Sequence, residues 1–202
     1  MRNPIKNWRK LALLASFLFA LLCTFVFPVH SDAPSKVFLP MIFTPDIPLA
    51  NGDFESGLAN WILSPTSVQL IFNEADLPEG IIPHSGSHVA WLGDHQIPNQ
   101  ATDYAITQSL NIPEFSPILH FWLMSYSAEF CPSVSDVLQI LVNNNLIDWW
   151  PICKDQNTFS WRLQISELKV FSGQTVDLTI RMVTNNAFPS EVYLDDFSFA
   201  SR

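Results

Sequence analysis

The chain has 202 residues with ten basic and nineteen acidic side chains, and it is 48% hydrophobic and 14% charged. An acidic balance without clustered Lys or Arg argues against nucleic acid or an anionic membrane surface as partner, because phosphate recognition needs grouped cations. Many aromatic residues and no long polar run argue equally against a disordered chain.

Arg2, Lys6, Arg9 and Lys10 precede the uncharged run Leu11 to Phe27, which ends in Pro28 and Val29-His30-Ser31. That order describes a secretory signal peptide over residues 1–31, with cleavage expected after Ser31. Left uncleaved, the same run is at the lower edge of bilayer-spanning length and would act as an anchor. Once cleaved, the mature chain keeps six basic against nineteen acidic residues, a net charge of −13, and is expected to be secreted or at the cell surface without touching the membrane.

Residues 32–50 contain Pro34, Pro40, Pro45 and Pro48 and read as an extended tether. The apolar stretch Val37 to Phe43 within it is expected to pack on the domain that follows.

From Asn51 to the C-terminus, short apolar or alternating runs are separated by turn residues, which predicts one all-β domain, an antiparallel two-sheet β-sandwich, over residues 51–202. Strands are expected near 67–72, 87–92, 104–110, 118–126, 137–143, 146–152, 159–165, 175–183 and 191–199. Asn143-Asn144-Asn145 is expected to turn between two of them, since Asn tolerates positive φ. The best helical candidate, Ile165 to Phe171, is short and stops before Gly173. Cys131 and Cys153 remain after export into an oxidising compartment, so a disulfide is expected. In the chain-entropy view, closing a loop of about 22 residues contributes on the order of 3 kcal/mol.

Several motifs carry a resemblance. Asn51-Gly-Asp-Phe-Glu-Ser-Gly57 with Trp61, Ser85-Gly86, Val89-Ala-Trp-Leu-Gly93, Leu119-His-Phe-Trp122, Phe171-Ser-Gly-Gln-Thr-Val176 and Leu194-Asp-Asp-Phe197 together resemble the galactose-binding-like jelly rolls. These include many bacterial carbohydrate-binding modules and are similar in layout to MAM-type adhesion modules. The resemblance implies a jelly-roll sandwich and a structural Ca2+ whose ligands map onto Glu55 and Asp196. Asp53 and Asp195 would join them if the first and last strands are neighbours, giving the oxygen ligands a hard cation needs. The alternative is a pair of exposed acidic turns. Asp195 and Asp196 lie between apolar flanks, Tyr193, Phe197 and Phe199 alternating with Val192 and Leu194, so their charge needs compensation.

Strand parity suggests a ligand face. With Leu119, Phe121 and Leu123 inward, Trp122 and Tyr126 point out; with Leu138, Ile140 and Val142 inward, Gln139 points out; with Val176, Leu178, Ile180 and Met182 inward, Arg181 points out. The same counting places Trp150 and Asp148 outward, opposite Trp149. Trp122, Tyr126, Trp150, Gln139, Asp148, Arg162 and Arg181 would then supply flat rings and polar forks suited to sugar. Trp61, Trp91 and Trp161 are expected in or near the core.

His84, His88 and His95 with Asp94 could suggest zinc, but Pro83 and Gly86 preclude the helix such spacing needs, so ordinary loop histidines are expected. No nucleophile elbow, HExxH helix, phosphate loop or glycosidase carboxylate pair stands in context. The expected function is a non-catalytic module binding carbohydrate at the cell surface or in extracellular matrix. An adhesive module binding an extracellular protein is the second reading, and a small hydrolase the third.

Overall fold

The computed structural model describes residues 47–93, 100–131 and 135–200. The expected signal peptide, most of the tether, Asp94 and His95 lie outside the described residues.

Among the described residues eleven strands follow in order: β1 (Ile47–Pro48), β2 (Ile62–Ser64), β3 (Ile71–Asn73), β4 (His88–Gly93), β5 (Thr102–Asn111), β6 (Ile118–Ser127), β7 (Val137–Val142), β8 (Asn145–Pro151), β9 (Arg162–Glu167), β10 (Thr175–Thr184) and β11 (Ser190–Ala200). They form two antiparallel sheets, β3-β4-β11-β6-β9 with β1 beside the far end of β11, and β2-β5-β10-β7-β8. This is the expected β-sandwich. The expected helical candidate is instead the end of β9 and a single 3-10 turn at Lys169–Phe171. β1 and β2 are too short to show periodicity, and β1 lies inside the stretch expected to be tether. Its Pro48 is tolerated because it sits at the margin of the sheet.

The inward residues of β6, β7 and β10 are those parity selects. Leu119, Phe121, Leu123, Leu138, Ile140, Val142, Val176, Leu178, Ile180 and Met182 are all buried in one cluster between the sheets. The β7–β8 hairpin turns as expected on Asn143 (φ 50°) and Asn144 (φ 65°), with the Asn143 side chain accepting the Asp177 N–H at 2.9 Å.

Two bulges break the alternation elsewhere. In β11, Asp195 pairs with Trp122 and Ser198 with His120, so one extra residue is accommodated between them, where Asp196 adopts φ 50°. Val192 and Leu194 before the bulge and Phe197 and Phe199 after it therefore enter the same core, while Tyr193 packs on the outer face with Val89 and Met124. The unbroken alternation expected across residues 192–199 is corrected accordingly. In β8, Ile140 pairs with Asp148 and Leu141 with Leu146, leaving Ile147 as the extra residue.

The Asn51–Gly57 motif builds the loop that closes against the β11 bulge. Asn51 donates through Nδ2 to the carbonyls of Gly57 (2.9 Å) and Ala59 (2.8 Å) and accepts the Ser56 N–H through Oδ1 (2.9 Å). Gly52 lies so near the Phe197 carbonyl that a Cβ would overlap it, and its own carbonyl accepts the Phe197 N–H at 3.0 Å. Phe54 and Trp61 then meet Phe197 with ring centroids 5.9 and 5.8 Å away, and the Trp61 indole donates to the Asn51 carbonyl at 2.8 Å. The expected disulfide is present between Cys131 and Cys153, with Cα atoms 5.5 Å apart.

Candidate binding surfaces

Of the four carboxylates expected around calcium, Glu55, Asp195 and Asp196 reach one loop, residues 84–88, and hold it through hydrogen bonds. Glu55 Oε1 accepts the N–H groups of Ser87 and His88, both at 2.7 Å, and Oε2 accepts the Ser87 hydroxyl at 3.0 Å. Burial pushes the Glu55 pKa up, but the Ser87 and His88 bonds together outweigh it and hold the group below its ordinary range. From the opposite flank Asp195 accepts the Ser85 N–H (3.1 Å) and the Asp196 N–H (2.8 Å), while Asp196 meets His84 Nδ1 (2.5 Å) and accepts the Ser85 hydroxyl (2.7 Å). Burial pushes the Asp195 carboxyl up to about 7; the Ser85 N–H opposes this and the Asp196 charge adds to it.

Those contacts answer how two adjacent carboxylates are tolerated between apolar flanks. Backbone donors, a histidine and the raised pKa of Asp195 compensate them. They also bear on the expected cation. Each oxygen of Glu55, Asp195 and Asp196 already faces an N–H, O–H or imidazole group, and Asp53 contributes one acceptor, to the Glu55 N–H at 3.4 Å. Among the described residues no group of three or more acids, histidines or cysteines is placed to hold a metal. As arranged, these carboxylates are engaged within the protein and do not by themselves supply the six to eight oxygen ligands that calcium takes. His88 belongs to the Glu55 cluster and His84 to the Asp196 cluster, so the two histidines have separate partners.

The residues expected on one ligand face are divided among several surfaces. Trp122 and Tyr126 lie on the outer face of the first sheet, where His84 stacks on Trp122 with centroids 3.9 Å apart and planes inclined by 17°. Tyr126 approaches Phe159 at 6.2 Å. Arg162 is exposed at the sheet edge, opposite Leu123 in register and so turned away from Trp122. Gln139 and Arg181 are register partners on the outer face of the second sheet.

Trp150 and Asp148 require correction. Because of the β8 bulge, Trp150 pairs with Leu138 and Asp148 with Ile140, both inward positions. Trp150 packs on the core, edge-on to Phe121 at 5.4 Å. Asp148 accepts the Ser166 hydroxyl at 2.9 Å, joining the edge strands of the two sheets. The exposed indole is that of Trp149, 49% accessible and paired with Gln139. Parity alone could not find it, since the phase change that exposes it lies at Ile147, two residues upstream.

Trp149, Gln139 and Arg181 thus occupy one row across β8, β7 and β10. The guanidinium is oriented from behind by Asp103, which accepts from Nε at 2.7 Å and Nη2 at 2.5 Å. This pairing lowers the Asp103 pKa and raises that of Arg181. A polar fork held in a fixed direction beside an exposed ring can meet a ligand that offers both a flat C–H face and hydroxyl groups. On the other sheet, an open cleft of about 520 Å³ over the β11 bulge is lined by Leu49, Asp53, Trp122, Asp196 and Ser198 among others. Trp61, Trp91 and Trp161 lie in or against the two buried clusters, as expected.

No protein-family model and no curated protein matches this sequence. Among solved structures, the chain is similar to the carbohydrate-binding module TmCBM61, solved with β-1,4-galactotriose, at 12% identity over 79% of this chain and 100% of that one, with a TM-score of 0.56. It is also similar to the K2 cleaved adhesin domain of Lys-gingipain, at 13% identity over 77% of this chain and 99% of that one, TM-score 0.53. A cyclase from Fischerella sp. TAU aligns at 12% identity over 78% of this chain and 98% of that one, TM-score 0.47. Two antiparallel sheets in this order, closed by the Asn51 loop against the β11 bulge, give the chain a jelly-roll β-sandwich fold like those of TmCBM61 and the gingipain adhesin domain, as its motifs led one to expect.

Proposed function

We propose that the protein is an exported, non-catalytic module that binds carbohydrate on the outer face of its second sheet. The observation that carries this reading is the row Trp149–Gln139–Arg181, an exposed indole next to an amide and an aligned guanidinium. Sugar recognition uses that combination: the ring covers pyranose C–H groups while amide and guanidinium bond hydroxyls. The net negative charge disfavours anionic glycans, so a neutral polymer fits best. β-1,4-Galactan is the first to test, being the polymer class in the TmCBM61 complex.

A second reading has its own support. Ile62 and Leu146, 67% and 54% exposed, lie on the same outer face and would suit an adhesive contact with an extracellular protein. Glycan-array binding of the purified protein, with Trp149→Ala and Trp122→Ala beside it, separates the possibilities. Retention lost only in Trp149→Ala supports the proposal. Retention lost only in Trp122→Ala moves the site to the cleft of the first sheet, and a blank array with folded protein favours the adhesive reading.

A further inference from the structure

The outer face of the second sheet extends beyond the Trp149–Gln139–Arg181 row. Across the strands that row continues to Ser64 on β2, and the row beside it carries Leu146, Thr179, Thr107 and Ile62. Both rows cross all five strands, from β8 at one edge of the sheet to β2 at the other. With strands about 4.8 Å apart, they form a track about 19 Å long.

The groups along the track can still meet a ligand. Asp103 takes two of the five guanidinium N–H bonds of Arg181 and leaves the others free to donate. Thr107 and Thr179 share one hydrogen bond at 2.9 Å, so the pair keeps one hydroxyl proton and several lone pairs for an outside partner. Trp149 and Leu146 at one end and Ile62 at the other are exposed. To either side the face changes character, to Val137 and Val183 in one direction and to Asp177 in the other, so the neutral polar groups run across the strands and not along them.

The indole of Trp149 can cover one sugar ring. Thr107 and Ile62 lie on β5 and β2, three and four strands away from it, and serve only a ligand that extends over them as well. A pyranose is about as long as one strand spacing, so the track accommodates roughly four residues. A site that recognises a chain end must close against that end. Here no strand of the sheet lies beyond β8 or β2, and the residues at both ends are exposed, so a sugar chain can run on past each edge. We infer that the track takes an internal stretch of a neutral polysaccharide, about four residues long and lying across the strands, and grips neither chain end. This specifies the ligand of the site proposed above and rests on that carbohydrate reading.

The test begins with affinity gel electrophoresis of the purified protein in soluble β-1,4-galactan, galactomannan, xyloglucan and mixed-linkage β-glucan. Oligosaccharides of two to six residues from the polymer that retards it most are then titrated calorimetrically. The Kd should fall at least about tenfold from the disaccharide to the tetrasaccharide and change little from there to the hexasaccharide. Coupling a bulky label to the reducing end of the hexasaccharide should leave its Kd unchanged. Ile62→Asp and, separately, Thr107→Ala should each weaken the hexasaccharide at least about threefold and leave the disaccharide unaffected, with melting temperatures close to the parent because both positions face outward. Equal Kd values for disaccharide and hexasaccharide, loss of binding on labelling the chain end, or parental affinity in both variants would overturn the inference and leave the carbohydrate reading standing. No retardation by any of the four polymers would overturn both.

Discussion

The carboxylate of Glu55 occupies the space where Gly86 would carry a side chain, so that a Cβ at residue 86 would overlap it. Gly86 also has φ +57°, in the left-handed region. Gly57 provides a matched reference, with φ +60° and nothing within 4 Å of its missing Cβ. Gly57→Ala should cost about 1–2 kcal/mol, from the left-handed backbone alone. Gly86→Ala should cost clearly more, because Glu55 must also leave the Ser87 and His88 N–H groups. Urea unfolding of both variants measures the difference. Equal losses would show that Glu55 does not clamp this loop.

The acid clusters give stability a pH dependence of mixed sign. Asp195 has a pKa of about 7 in the folded protein against an ordinary 3.8. Between those values the unfolded chain releases this proton while the folded one retains it, so its contribution to stability falls as pH rises through the window. Glu55 and Asp103 act in the opposite direction, since their folded pKa values are lowered. Their contribution is present above the unfolded pKa and is lost as pH falls through the folded one. Unfolding free energies measured from about pH 4 to 7 should therefore gain a more positive slope in Asp195→Asn than in the parent. Parallel curves would show that Asp195 titrates normally.

Calcium should have little effect. With the oxygens of Glu55, Asp195 and Asp196 engaged by internal donors, adding calcium or EDTA is expected to leave the melting temperature unchanged. A calcium-dependent rise would show that the ion displaces those donors, because a ligand that binds only the native state raises stability by mass action.

The neighbouring indoles of β8 should respond differently to truncation. Trp150→Ala removes a ring packed on Phe121 and should cost about 3 kcal/mol. Trp149→Ala should stay within about 0.5 kcal/mol of the parent while losing glycan retention. The opposite pattern in thermal melts would place Trp149 in the core.

Replacing Cys131 and Cys153 by Ala should cost about 3 kcal/mol, the constraint expected of a bridge over a sequence separation of 22. Urea midpoints of the double variant measure it directly.

The sequence made the sandwich and most of its core legible because β6, β7 and β10 keep an unbroken period of two. There each inward residue follows from its neighbour. β11 and β8 were not legible in the same way, since one extra residue in each reverses the faces of everything downstream. That reversal brought Phe197 and Phe199 into the core and exchanged Trp150 for Trp149 on the surface. Asp53, Glu55, Asp195 and Asp196 were expected to converge on a cation; in the structure Glu55 holds residues 87 and 88 and the Asp195–Asp196 pair holds residues 84 and 85. What sequence did not carry was the nature of their partners, because backbone N–H groups at 85, 87 and 88 are presented only once the loop is folded.

The β11 bulge also makes one change of length in this strand unlike any other. Deleting the single residue Asp196 would remove the extra residue together with its carboxylate, so that Val192, Leu194, Phe197 and Phe199 would fall in one unbroken period of two on the core face, with loss of the His84 and Ser85 contacts. Substitutions at that position test one side chain, whereas its deletion tests the bulge itself.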